Sequence, residues 1–191
     1  SKQVTLEGWA DANYSSWILS RKSSLGFVIK SCGNPIYWTK KNQPIVAQST
    51  TKEEFVAMDL CSKPLRWLSY LILWLKRSIP LLIIHNDNSG AVIISKEASL
   101  NPNTKHIEIW FQYVRHLVIN KLLQVCRVCS NEMIADILTK PLNWNKVITA
   151  MTQLKLTMLK SRRSVNWMTA HAAHWRITGD AFMLTESLCI I

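Results

Sequence analysis

The chain is short of acidic residues, of cysteine and of long apolar stretches. Against 23 lysines and arginines it has only 12 aspartates and glutamates, which gives a formal net charge of +11. From residue 143 onward there are six basic and two acidic residues, so residues 1–142 still carry 17 basic against 10 acidic residues. This charge favours an anionic partner such as nucleic acid, without implying any sequence specificity.

Cysteine usage and hydropathy exclude two further classes of protein. The five cysteines are odd in number and unevenly spaced, so we expect no disulfide framework and a reducing, intracellular compartment, cytoplasmic or nuclear. The most apolar run, residues 67–75, is followed by Lys76-Arg77 and is far shorter than the roughly 20 residues of a membrane span. We therefore expect no membrane partner. Because the chain starts at Ser1 without Met, we expect a fragment or a piece of a longer precursor.

Apolar periodicity predicts the element order βββαβααβα, with three strands of an antiparallel meander first. Apolar residues spaced by three and four predict a long helix, which Pro64 should kink or split in two. A short continuous apolar run after it predicts a central strand buried on both faces. The predicted elements are strands at Val4–Tyr14, Ser24–Cys32, Ile36–Lys40, Leu81–His85 and Leu122–Val128, and helices at Thr50–Arg77, Asn88–Lys96 and Thr104–Ile119.

The C-terminal part of the chain is less regular. Asn131 is the predicted cap of a helix that contains Asp136 and ends at Pro141. We therefore predict one domain over residues 1–142, an appended helix over residues 143–159, and a tail over residues 160–191 that has no firm period. No internal repeat is present.

Four carboxylates lie in four separate contexts and are the candidate catalytic and metal-binding residues. They are Asp11, Glu54, Asp87 and Asp136. Hydrolysis of a phosphodiester commonly uses two hard cations about 3.5–4 Å apart, which carboxylates hold. The set predicts a metal-dependent nuclease with two Mg²⁺ ions, for which Mn²⁺ is a substitute.

Each carboxylate also has a simpler interpretation. Asp11 fits a solvated strand end, although aspartate is depleted in strands. Glu54 fits a capping box that begins at Thr51. Asp87-Asn88 fits the cap of the following helix, and Asp136 fits the favourable end of a helix dipole. The four carboxylates are individually weak signals and jointly a strong one.

Seven motifs lie in order along the chain between about Leu6 and Leu142. They are Ala10-Asp11-Ala12, Arg21 to Phe27, Trp38 with Lys41-Asn42-Gln43-Pro44, Ser49-Thr50-Thr51 through Glu54-Phe55, Asp87-Asn88, Thr104 to Ile109, and Ala135 to Pro141. In order and spacing, these motifs resemble the ribonuclease H domain that ends the Pol polyprotein of copia-type LTR retrotransposons. The resemblance implies an α/β ribonuclease H-like fold, in which a five-stranded mixed sheet is flanked by helices.

The resemblance also implies a function. The chain is expected to cleave the RNA strand of an RNA/DNA hybrid during reverse transcription, beside the reverse transcriptase portion of the same polyprotein. A virus-like particle is a further possible location, and no small-molecule cofactor is expected. Glu54 and Asp87 then position the metal ion that activates water. Asp11 bridges both ions, and Asp136 completes the second site.

Several polar residues are expected to contact the nucleic acid, although the basic ones also fit ordinary solvated turns. These residues are Arg21, Lys22, Lys40, Lys41 and Asn88. By contrast, Cys126-x-x-Cys129 is not a predicted zinc site, because a strand directs positions three apart to opposite faces and no second pair follows.

The competing class of function is a catalytically inactive, degenerate or co-opted retrotransposon-derived domain that binds nucleic acid or protein without cutting. Pro64, Trp110 and the unmatched tail favour it; Asn13 and Gln112 are the other departures from the family pattern. The retention of all four carboxylates argues against it. A third possibility is a structural connector within a reverse transcriptase polyprotein.

Overall fold

A computed structural model of the chain describes residues 4–13, 23–42, 49–76, 80–96 and 108–156. The strands are β1 Thr5–Asn13, β2 Ser24–Ser31, β3 Asn34–Asn42, β4 Leu81–Asn86 and β5 Gln124–Arg127. The helices are α1 Thr50–Lys76, α2 Ser89–Lys96, α3 Glu108–Ile119, α4 Asp136–Thr139 and α5 Trp144–Gln153. The predicted tail over residues 160–191 lies outside the described residues. No helix in the described ranges is long and apolar enough to cross a membrane.

The five strands form one mixed sheet in the order β3-β2-β1-β4-β5. The pairs β1–β2 and β2–β3 are antiparallel, as in the predicted meander. Strand β4 runs parallel to β1, and β5 runs parallel to β4. The expected five-stranded mixed sheet with flanking helices is therefore confirmed, and β1 lies at its centre.

Apolar side chains cover both faces of this sheet. On one face, Leu6 and Ala10 of β1 belong to a large buried cluster that includes Phe55 of α1. On the other face, Trp9 packs against a smaller cluster that contains Ile134 and Leu154, from the C-terminal segments. The alternation along β1 thus places neighbouring residues on opposite faces, as a strand requires.

Helix α1 continues without interruption from residue 50 to residue 76, through Pro64. Of the two predicted effects of Pro64, the split is wrong, and the kink stays a prediction. Met58 and Leu65, on either side of the proline in the sequence, are fully buried. Packing of residues before and after Pro64 stabilises the helix. This stabilisation outweighs the loss of one backbone hydrogen bond at Pro64.

Strand β4 is fully buried on one face only. Leu82, Ile84 and Asn86 are buried, while Ile83 and His85 are only half-buried. The prediction of burial on both faces is therefore wrong for the second face. An aromatic stack partly covers that face, because the Trp9 and His85 rings lie 4.6 Å apart between centroids.

Helix α4 is a single turn that begins at Asp136. Asn131 is exposed in the preceding turns and does not cap it, so that prediction is wrong, and Asp136 is the first helical residue. Backbone bonds within the turn segment, such as Asp136 N–H to Met133 O at 3.2 Å, shape this stretch instead. Helix α5 is shorter than predicted, and Asn143 caps it by accepting from the Lys146 N–H at 2.9 Å.

Candidate metal centre

Three of the four predicted carboxylates meet at one edge of the sheet. Asp11, Glu54 and Asp87 each offer an oxygen, and these oxygens all lie within 4.8 Å of one another. Asp11 is 0% exposed and Glu54 is 7% exposed, whereas Asp87 is half-buried. They come together because β1 and β4 are parallel neighbours, so that their carboxyl ends lie at the same edge. The first turns of α1 bring Glu54 to that edge.

Glu54 is held by Asn86, a residue that the sequence analysis did not select. The Asn86 side-chain amide donates to Glu54 Oε2 at 2.9 Å and to the Ala10 carbonyl at 2.9 Å. Asn86 is 0% exposed at the end of β4. A signal was present in the sequence, because asparagine is depleted in strands and here ends an apolar run.

The capping-box interpretation of Glu54 is wrong in the structure. Ser49 caps the helix instead, since its Oγ accepts from the Lys52 N–H at 3.3 Å. The Glu54 carboxylate is directed to Asn86 and to the other acidic groups. Glu54 is therefore part of the site.

The sequence left two interpretations of Asp87-Asn88 open, a helix cap and a metal ligand, and the two residues differ in the structure. The Asn88 side-chain oxygen accepts from the Ala91 N–H at 3.0 Å and so caps α2. Asp87 Oδ2 accepts from the Ser130 hydroxyl at 2.9 Å. One residue starts the helix, and the other faces the acidic cluster.

Asp136 lies beside the cluster and is joined to it through a lysine. The Lys140 ammonium donates to Asp11 Oδ1 at 2.9 Å and to Asp136 Oδ1 at 2.8 Å. The Thr139 hydroxyl donates to the second oxygen of Asp11. Sequence reasoning placed Asp136 next to Asp11 and missed Thr139 and Lys140, although both belong to the motif that carried the resemblance.

A glycine on β2 permits this close approach. Gly26 pairs with Asp11 across the sheet. A Cβ at Gly26 would lie 2.8 Å from Leu138 Cβ and 2.8 Å from Thr139 Cγ2. The Asn13 side-chain amide fixes the same turn by donating to the Thr139 carbonyl at 3.0 Å. Because Gly26 has no side chain, the turn has room to place Thr139 against Asp11.

The buried carboxylates have perturbed pKa values. Burial and, after it, the nearby Asp11 charge raise the pKa of Glu54 to about 8, although the hydrogen bond from Asn86 opposes the increase. Burial raises the pKa of Asp11 to about 6, although Lys140 and Thr139 oppose the increase. Burial lowers the pKa of Lys140, but the Asp11 and Asp136 carboxylates outweigh it and hold that pKa above its usual value. A cation among these carboxylates would favour their ionised forms.

The donor set fits a hard divalent cation. All three converging groups supply carboxylate oxygen, which Mg²⁺ and Mn²⁺ prefer. Among the described residues, we find one group of three or more aspartate, glutamate, histidine or cysteine side chains that are close enough together to bind a metal ion. That group is Asp11, Glu54 and Asp87. Cys126 and Cys129 are not part of this group.

The predicted nucleic-acid contacts differ in their placement. Lys40 pairs with Gly26, which in turn pairs with Asp11, so the three residues point to the same face. At about 4.8 Å per strand, Lys40 lies about 10 Å from Asp11 along the sheet. Lys41 points to the opposite face. Arg21 and Lys22 lie outside the described residues.

The sheet order, with acidic residues on β1, on α1 and after β4, is the arrangement that the resemblance implies for a ribonuclease H-like fold. One similar solved structure is the N-terminal ribonuclease H domain of a Mycobacterium tuberculosis protein, at 12% identity and a TM-score of 0.49, covering 78% of this chain and 98% of that one. No protein-family model matches the chain.

The sequence relatives are Pol polyproteins of plant transposons. The chain is 33% identical over 141 residues to the retrovirus-related Pol polyprotein from transposon TNT 1-94 of Nicotiana tabacum. It is 29% identical over 142 residues to that from transposon RE2 of Arabidopsis thaliana. The matches cover 74% and 73% of this chain, and the chain spans only 11% and 10% of the two polyproteins. The chain is thus a homologue of a segment of retrovirus-related Pol polyproteins, and the resemblance found in the sequence is confirmed.

Proposed function

We propose that the chain is a ribonuclease H-type endonuclease that uses divalent metal ions to cut the RNA strand of RNA/DNA hybrids. The observation that carries the proposal is the convergence of Asp11, Glu54 and Asp87 within 4.8 Å at the edge of a ribonuclease H-like sheet. The homology to retrotransposon Pol polyproteins supports it. The formal charge of +11 is suited to a polyanionic substrate.

The residues of the site have distinct tasks in this proposal. Asp11, Glu54 and Asp87 would hold a metal ion, and the resemblance implies that Asp11 and Asp136 would be the ligands of a second one. Bound ions of this kind activate a water molecule and neutralise the leaving oxygen. Asn86 keeps the Glu54 carboxylate turned toward the site, and Ser130 does the same for Asp87. The chain supplies no nucleophile of its own.

Substrate binding draws on the basic surface and not on the carboxylates. Lys40 shares the sheet face of Asp11 and is the described lysine best placed for a backbone phosphate among those predicted from the sequence. Recognition of RNA against DNA would rest on 2′-hydroxyl contacts across a wide, shallow minor groove. Because the homologous polyproteins are about ten times longer than the matched segment, we also propose the reverse transcriptase portion of such a polyprotein as a partner.

Cleavage of a labelled RNA/DNA hybrid by the full chain, with Mg²⁺ or Mn²⁺, tests the proposal. Asp87→Asn should abolish cutting because it removes a metal ligand, and binding of the hybrid in EDTA should persist because it depends on the basic surface. Glu132→Gln is the matched control, since it removes the same charge from an exposed residue two positions after Ser130 and should keep activity.

The same experiment distinguishes the enzyme from a binding module. If the wild-type chain binds the hybrid but cuts nothing across a range of Mg²⁺ and Mn²⁺ concentrations, the enzymatic proposal fails for this chain. A degenerate or co-opted binding domain then becomes the better account. Equal cutting by the wild type and Asp87→Asn would show that the carboxylates are not the catalytic site.

A further inference from the structure

Lys140 lies where a cation shared by Asp11 and Asp136 would lie. Its ammonium group is 2.9 Å from Asp11 Oδ1 and 2.8 Å from Asp136 Oδ1. The side chain of Asp11 is 0% exposed and that of Asp136 is 6% exposed, while that of Lys140 is 31% exposed. A positive charge thus bridges two buried carboxylates and still reaches solvent.

The ammonium group and a bridging metal ion exclude each other. A Mg²⁺ ion needs carboxylate oxygens at about 2.0–2.1 Å, and the oxygens that would bridge it here already share the lysine as a donor. Asp11 keeps capacity for an ion on its other side, because an ionised carboxylate offers about four acceptor positions. The group of Asp11, Glu54 and Asp87 is therefore still able to take one ion.

The fold holds Lys140 in this position through its neighbours. Thr139, directly before it, is 5% exposed and donates to Asp11. The turn packs against β2 at Gly26, where a Cβ would meet it at 2.8 Å. Lys140 directly follows α4 and is four positions from Asp136, the first residue of that helix, so one short segment presents both partners. The backbone next to Lys140 is thus packed beside the site, and the contacts with Asp11 and Asp136 hold its ammonium group there.

We propose that Lys140 takes the place of the second metal ion. The chain then binds one divalent ion, at Asp11, Glu54 and Asp87, and the lysine supplies the other positive charge. An ammonium group has three N–H donors; two are used on Asp11 and Asp136, and the third is assigned to an oxygen of the scissile phosphate. The inference rests on the proposed metal-dependent function. It specifies that the site uses one divalent ion together with the Lys140 ammonium group.

Counting bound Mn²⁺ in the full chain without substrate tests this inference, by electron paramagnetic resonance of the free ion. We expect one bound ion per wild-type chain and two in Lys140→Met, because the substitution frees the oxygens of Asp11 and Asp136. Lys140→Arg keeps the charge and should bind one ion. Lys63→Met is the matched control, since Lys63 forms an ion pair at 2.7 Å with Asp59, four positions before it in α1. This variant should also bind one ion.

The possible results separate this inference from the proposed function. Two ions in the wild type, or one ion in a folded Lys140→Met, would overturn the role of Lys140 and leave the nuclease proposal standing. No bound ion in the wild type at millimolar Mn²⁺ would overturn both. If Lys140→Met does not fold, the number of ions bound by Asp136→Asn is the deciding measurement. One bound ion in both Asp136→Asn and the wild type supports the inference. Two ions in the wild type and one in Asp136→Asn would refute it.

Discussion

Metal binding should become tighter as the pH rises, because an ion must displace protons from the buried carboxylates. The pKa of Glu54 is about 8 and that of Asp11 is about 6. With a pKa of about 8, Glu54 is ionised in roughly one chain in ten at pH 7 and in roughly nine in ten at pH 9. The apparent dissociation constant for Mg²⁺ should therefore fall about tenfold between pH 7 and pH 9, and again about tenfold between pH 6 and pH 7.

Isothermal titration calorimetry with Mg²⁺ at pH 6, 7, 8 and 9 measures this dependence. Repeating the pH 7 titration in buffers of different ionisation heat should show the release of about one proton per ion, most of it from Glu54. Glu54→Gln has no such proton to release, so its weaker binding should change little between pH 7 and pH 9. Equal wild-type affinity at pH 6 and pH 9, without proton release, would refute the assignment of Glu54 as a protonated ligand.

Two further results are expected. Gly26→Ala should lower the free energy of unfolding by about 1–3 kcal/mol, since the added methyl group overpacks the contact with Leu138 and Thr139. Thermal melting beside Gly90→Ala, whose Cβ would meet its neighbours at no less than 3.2 Å, checks this, and equal melting temperatures would contradict it. In EDTA, the folded chain should lose stability between about pH 4 and pH 8, because the folded pKa values of Asp11 and Glu54 are raised above their unfolded values and the unfolded state therefore ionises first. Millimolar Mg²⁺ should reduce that loss, and a melting temperature that rises over this range in EDTA would refute the reasoning.

The sequence by itself determined the order of the elements and the residues of the acidic cluster. Periodicities of two and of three to four are local properties, so they predicted the meander, the long helix and the short strand that ends before Asp87. Motif spacing placed Asp11 on the first strand and Glu54 at the start of the long helix. The predicted contacts of Arg21 and Lys22 remain predictions.

Only the tertiary structure decided how these residues meet. Lys140 and Asp11 are 129 positions apart, and Asn86 reaches Glu54 across 32 positions, so no local pattern contains either contact. Strand register decided which of Lys40 and Lys41 shares the sheet face of Asp11, because neighbours along a strand point to opposite faces. The packing of one helical turn against Gly26 placed a lysine between Asp11 and Asp136. Such contacts depend on the packing of distant segments, which local periodicity does not specify.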